Sequence, residues 1–227
     1  MAIYIPNSGP EFPIAHGGAA GISCAPISRE QGMYVRKDSY YKKAKAEGYR
    51  SRAAYKLIEL NGTHRLYGRG QRVLDVGCAP GGFLQVVADT VGPSGCVVGI
   101  DLLETVPVGP NVKIFLGDAR EAANQARLIE ALGGAADCVL SDMAPNTSGV
   151  GFADAFQSFK LASMVLDLCA THLKKGGMML VKVFVGSEFE GLKKRAQTLF
   201  DKVVVTKPDA TRKGSREVYM IGTGYKA

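Results

Sequence analysis

Short apolar runs recur along the chain, and between them the apolar positions return every three or four residues. The runs Arg72–Gly77, Cys96–Asp101, Val112–Gly117, Cys138–Asp142 and Met178–Phe184 are rich in Val, Ile and Leu and predict strands. Helical spacing dominates near 82–91, 120–132, 155–173 and 188–200. Strands apolar on both faces, alternating with helices, imply an α/β chain with a parallel sheet covered on both sides. Two last strands, near 202–207 and 216–223, have no helix between them. A terminal hairpin is therefore expected, with one antiparallel strand in an otherwise parallel sheet.

Upstream of the first strand the pattern changes. From Asp38 to Leu60 it is helical and basic, and Gly48 divides it into two short helices. Ser51 is the expected N-cap of the second. Residues 1–36 carry Pro6, Pro10, Pro13 and Pro26 with no period, and are read as an irregular tail. Residues 37–227 are then the single folded domain, a length that suits one sizeable core.

Charge adds a partner class. Lys plus Arg number 28 against 21 acids, a net charge of +7, which favours a polyanion such as nucleic acid. The five cysteines form no CxxC pair and read as reduced thiols, mostly buried. The three histidines stand apart from them, so no metal is expected. No apolar run reaches the ~20 residues of a membrane span, and no basic-then-apolar leader opens the chain. The expectation is a cytoplasmic monomer with no membrane partner, the mitochondrial matrix being the alternative location.

Candidate chemistry gathers at the ends of the strands, where ligands bind in such sheets. The first strand runs into Gly77-Cys-Ala-Pro-Gly-Gly-Phe83, and the small residues Gly77, Ala79, Gly81 and Gly82 offer bare backbone to a ligand. Asp101 closes the second strand twenty positions past Gly81, where a carboxylate accepts hydrogen bonds from a ribose diol. Asp118, within Gly117-Asp118-Ala119, is placed for an adenine amino group. A pyrophosphate wants open glycines and a helix N-terminus, whereas a cationic sulfonium wants carboxylates such as Asp75 and Asp142. These acids lean toward S-adenosylmethionine as cofactor. Pro80, Phe83, Leu102 and Ala119 complete the expected contacts.

Four charged residues stand where packing alone would not put them: Lys56, Asp142, Lys182 and Glu217. Lys182 interrupts the apolar run Leu180-Val-Lys-Val-Phe184, and buried lysine is costly unless paired or neutral. A plain salt bridge to Asp142 is the simplest account. The chemical account makes Lys182 the acceptor of a hydroxyl proton. A lysine serves in that role only where desolvation or a nearby cation favours its neutral form. Lys56 is the candidate cation, with Asp142 and Glu217 orienting the two amines.

Five segments carry a resemblance: Gly48-Tyr-Arg-Ser-Arg-Ala-Ala-Tyr-Lys56-Leu, Leu74–Phe83, Ser141-Asp-Met-Ala-Pro-Asn146, Leu180–Phe184 and Ser215-Arg-Glu-Val-Tyr219. Together, over about 190 residues, they resemble the ribosomal RNA large subunit methyltransferase E family, the FtsJ or RrmJ heat-shock methyltransferases. The resemblance implies a Rossmann-like, seven-stranded S-adenosylmethionine-dependent fold. It implies a Lys-Asp-Lys-Glu tetrad at Lys56, Asp142, Lys182 and Glu217, with Lys182 as base. It implies cofactor contacts at Gly81, Phe83, Asp101, Asp118 and Asp142. It also implies 2′-O-methylation of a uridine in 23S-type rRNA of the large ribosomal subunit. Phe83 departs from the family's usual Trp, keeping the apolar contact and losing an indole N–H.

A basic comb fits an RNA partner. Lys42, Lys43, Arg50 and Arg52 stand at one end, Arg212, Lys213 and Arg216 at the other, with Tyr40, Tyr41, Tyr49 and Tyr55 interleaved for stacking. Competing readings are methylation of tRNA, a nicotinamide-dependent oxidoreductase, a small-molecule methyltransferase and a non-catalytic RNA-binding module. The oxidoreductase leaves Lys56 and Glu217 without a role, and the small-molecule enzyme has no need of the comb.

Overall fold

The alternation of apolar runs and helical stretches folds into one seven-stranded sheet with helices on both faces. The computed structural model describes residues 39–146, 148–212 and 214–227, within the compact unit Lys37–Ala227. The expected tail over residues 1–36, along with Lys213, lies outside the described residues. The elements run α1 (Ser39–Ala46), α2 (Ala53–His64), β1 (Arg72–Val76), α3 (Gly82–Val91), β2 (Cys96–Asp101), β3 (Val112–Leu116), α4 (Ala122–Leu132), β4 (Ala136–Ser141), α5 (Gly151–His172), β5 (Leu173–Phe184), α6 (Phe189–Leu199), β6 (Phe200–Thr206) and β7 (Glu217–Tyr225).

The strand order is β3-β2-β1-β4-β5-β7-β6, and β7 is antiparallel to both of its neighbours. The order reverses direction between β1 and β4, which places a ligand crevice at their C-terminal ends. Alternate side chains feed two cores. Leu74, Val76, Val139, Met179, Val181 and Val183 face α4, α5 and α6, whereas Val73, Cys138, Leu140, Leu180, Tyr219 and Ile221 face α2 and α3.

Three local expectations are corrected. Arg52, not Ser51, holds the N-cap position of α2, and no side chain caps it. The Ser51 hydroxyl instead sits over Gly82, where an added Cβ would come within 2.2 Å of it. Helix α5 begins at Gly151, four residues before the predicted start, because Asp154 accepts hydrogen bonds from the Ser148 N–H and hydroxyl (2.7 and 2.8 Å) and fixes the turn that Gly149 and Gly151 left patternless. The fifth strand, expected over Met178–Phe184, begins at Leu173 and takes in Lys174–Gly177, and it pairs with β4 through an irregular register between Ala136 and Cys138.

Candidate active site

Strand register brings the four charged residues together. Ser141 of β4 pairs with Val181 of β5, so Asp142, one residue on, stands beside Lys182. Across the other edge of β5, Lys182 pairs with Tyr219 and Phe184 with Glu217. Lys182 and Tyr219 therefore project to the same face, the one on which α2 lies, and α2 delivers Lys56. Lys56 and Lys182 are only 4% and 7% exposed, so each amine needs a polar partner in the fold. Lys56 Nζ donates to the Glu217 carboxylate. Lys182 Nζ lies 3.0 Å from Asp142 Oδ1 and also donates to the Asp142 backbone carbonyl.

Tyr219 was not among the expected site residues. Its hydroxyl donates to Asp142 Oδ1, and its ring lies 5.5 Å from Lys56 Nζ. Burial and the adjoining Asp142 and Glu217 push the phenol well above its ordinary range, so it remains a donor. The signal was in the sequence: Tyr219 is two positions from Glu217, hence on the same strand face.

The four charged residues line a cavity of about 280 Å³ with Ser51, Arg52, Gly77, Cys78, Ala79, Pro80, Gly82 and Phe83. One wall is thus the turn after β1 and the other is the tetrad Lys56, Asp142, Lys182 and Glu217. Asp101 stands behind the turn, accepting from Ala79 N–H (2.8 Å) through Oδ2 and from Leu103 N–H (2.9 Å) through Oδ1. Gly81, Asp101, Leu102, Asp118 and Ala119 are not part of the cavity wall. Leu102 is exposed, and Asp118 is held below the usual carboxylate range by Arg120, whose Nε lies 2.9 Å from it.

Other expectations change in detail. The glycines make room for the protein as well as for a ligand. A Cβ at Gly77, whose φ is +80°, would lie 2.0 Å from Met143 Cγ, and one at Gly81 (φ +105°) 2.7 Å from Arg50 Nη1. Arg50, expected on RNA, is engaged inside the chain. It donates to the carbonyls of Val106 and Pro107 (2.7 Å to the latter), and so ties the turn before α2 to the loop after β2. Of the four tyrosines, only Tyr41 is exposed; Tyr55 is buried with Ala44 and Ala210, with Tyr40 and Tyr49 packed on them. They lost their freedom to stack because that small core needs their rings. The same core packs Ala210 of the loop before β7 with Ala44 of α1, so two basic segments distant in sequence meet there.

Asp75 does not reach the cavity. It points into the α2–α3 face of the sheet, 1% exposed, and neither carboxyl oxygen has a hydrogen-bond partner. Burial, and then Asp142 and Asp101, raise its proton affinity well above the ordinary carboxyl range. The unfolded chain releases this proton near pH 3.9 while the fold retains it, so the native state binds more protons and loses stability as pH rises from about 4. In Asp75→Asn that term is gone. The melting temperature of Asp75→Asn relative to the parent is expected to shift in the variant's favour between pH 4 and pH 7, as followed by circular dichroism. A pH-independent difference would show that Asp75 is ionised in the fold.

The donor set suits a cationic adenosyl cofactor. A turn of small residues lies beside a cavity bearing the Asp142 carboxylate, and Asp101 keeps lone pairs beyond the two it spends on backbone. Among the described residues, no cluster of three or more His, Cys, Asp or Glu could hold a metal, and no helix is long and apolar enough to cross a membrane.

Residues 49–225 match the family model for FtsJ-like methyltransferases. The ribosomal RNA large subunit methyltransferases E of Azoarcus sp. and Nitrosomonas europaea are 48% and 45% identical to this chain, each over 186 residues, covering 82% of it and 90% of either relative. A solved structure described as a ribosomal RNA methyltransferase from Plasmodium falciparum superposes with a TM-score of 0.69 at 30% identity, over 78% of this chain and 98% of the other. The fibrillarin of Aeropyrum pernix shares the fold, with a TM-score of 0.51 at 21% identity over 77% of this chain and 75% of its own.

Proposed function

The chain belongs to the FtsJ-like methyltransferase family, and from that premise we propose that it methylates a ribose 2′-hydroxyl, that of a uridine, in large-subunit ribosomal RNA. The observation that carries this reading is the convergence of two buried lysines and two acids on the cavity that the turn after β1 opens into. When bound, S-adenosylmethionine supplies an electrophilic methyl group on a sulfonium. Gly77, Ala79, Pro80, Gly82 and Phe83 would hold it along the turn, Asp101 would take its ribose, and Asp142 would face its charge.

The chain's own residues deal with the substrate. A ribose hydroxyl is a weak nucleophile until its proton is taken, and a positioned base contributes roughly 10²- to 10⁴-fold. Lys182 Nζ is that acceptor. Asp142 fixes its position through a carboxylate and a backbone carbonyl, and Tyr219 fixes the carboxylate in turn. Lys56, held by Glu217, sets a second amine at the same wall. Arg52 on the cavity wall positions a phosphate, and the exposed Lys42, Lys43, Arg212 and Arg216 supply further phosphate contacts.

Incubation with methyl-labelled cofactor and large ribosomal subunits lacking the modification tests this. Label is expected in RNA, and nuclease digestion with mass spectrometry is expected to place it on the ribose oxygen of a uridine. Label on a base, or in tRNA alone, would refute the assignment.

A further inference from the structure

Next to the tetrad, the first turns of α5 carry an apolar surface that the cavity does not use. Phe152 and Val150 are 69% and 60% exposed, with Val185 at 42% and Phe156 at 38%. Phe152 and Phe156 are one helical turn apart and share a face. Val185 lies three residues beyond Lys182, and its N–H donates to the carbonyl of Arg216 (3.0 Å), the neighbour of Glu217. Gly186 abuts α5 so closely that an added Cβ would lie 2.6 Å from Ala155 Cβ. The apolar surface is thus continuous with the rim of the tetrad.

Cations border it. The Arg216 guanidinium covers Gly151, 2.7 Å from where a Cβ would stand, and Lys160 Nζ lies 4.7 Å from the centre of the Phe156 ring. Phe159 stacks on Phe156 at 6.1 Å, which fixes that ring and leaves Phe152 as the outermost aromatic. The turn beneath is held by the bonds of Ser148 to Asp154, whose charge faces Arg216. An apolar protein partner would have no use for two cations flanking an aromatic face. A nucleic-acid strand uses both, through base stacking and phosphate contact.

Building on the function proposed above, we propose that Phe152, next to the Gly151 that Arg216 covers and one turn from the Phe156 ring that Lys160 covers, is a stacking platform for an unpaired base next to the nucleotide whose ribose enters the cavity. Stacking holds the strand beside the cavity and leaves the identity of the stacked base open, since every base has a π-face.

The test uses the full chain and a fluorescein-labelled, single-stranded RNA ten-mer, with binding read by anisotropy and cofactor affinity by calorimetry. Phe152→Ala is expected to weaken RNA binding about 5- to 100-fold, with Phe152→Tyr near the parent and cofactor affinity unchanged in both. Arg216→Ala is expected to reduce the slope of log affinity against log salt by about one. Because Phe152 is mostly exposed, its loss leaves the core intact. Subunit methylation is measured in parallel. A parent that methylates subunits while Phe152→Ala binds RNA within twofold of it would overturn the platform alone. A parent that methylates no RNA would overturn the function on which the platform rests.

Discussion

Lys56→Met is expected to lower the melting temperature by at least about 6 °C and to abolish methyl transfer. Its amine holds Glu217, whose side chain is 12% exposed. Removing one member of a buried pair leaves the other charge without compensation and costs roughly 3–5 kcal/mol. In a chain of this size each kcal/mol moves the midpoint by about 2–4 °C. The cost comes from the orphaned carboxylate, so the double variant Lys56→Met/Glu217→Met is expected to regain most of the loss. Apolar replacement of both partners in a buried pair is often close to neutral. Methyl transfer stays lost in the double variant, since neither charge returns. Scanning calorimetry of the parent and the two variants separates these contributions. A single variant as stable as the parent would mean that Lys56 and Glu217 are not coupled in the fold.

Much of the fold and of the layout of the site is legible in the sequence itself. The strands announced themselves because a sheet covered on both faces needs continuous apolar runs, and Arg72–Val76 and Cys96–Asp101 are such runs. Lys182 was conspicuous for the same reason, as a charge inside β5. The hairpin of β6 and β7 follows from the absence of a connecting helix, and among the described residues β7 is the one antiparallel strand.

What escaped was decided by tertiary contacts that leave no period in the sequence. Tyr55 and Arg50 look like members of a basic, aromatic RNA comb, but the ring is buried with Ala210 and the guanidinium bonds to the loop after β2. Nothing local distinguishes a tyrosine that stacks on a base from one that closes a three-residue core. Asp75 looked like a ligand to a cation. The twofold alternation of β1 settles it otherwise, because Asp75 shares the face of Val73 and so turns under the sheet. Tyr219 was overlooked because an aromatic in an apolar strand reads as core, which it also is, at 0% exposure.

The most direct measurement is methyl transfer by Lys182→Met under saturating cofactor and RNA, alongside cofactor affinity by calorimetry. Methionine keeps the apolar stem of the side chain and removes the amine, which is 7% exposed and bound to Asp142. The predicted result is a fall in turnover of at least about 10³-fold, within the range a positioned base supplies, with cofactor affinity altered by less than about threefold. Turnover within tenfold of the parent, in a variant that folds and binds the cofactor, would contradict Lys182 as the group that takes the ribose proton.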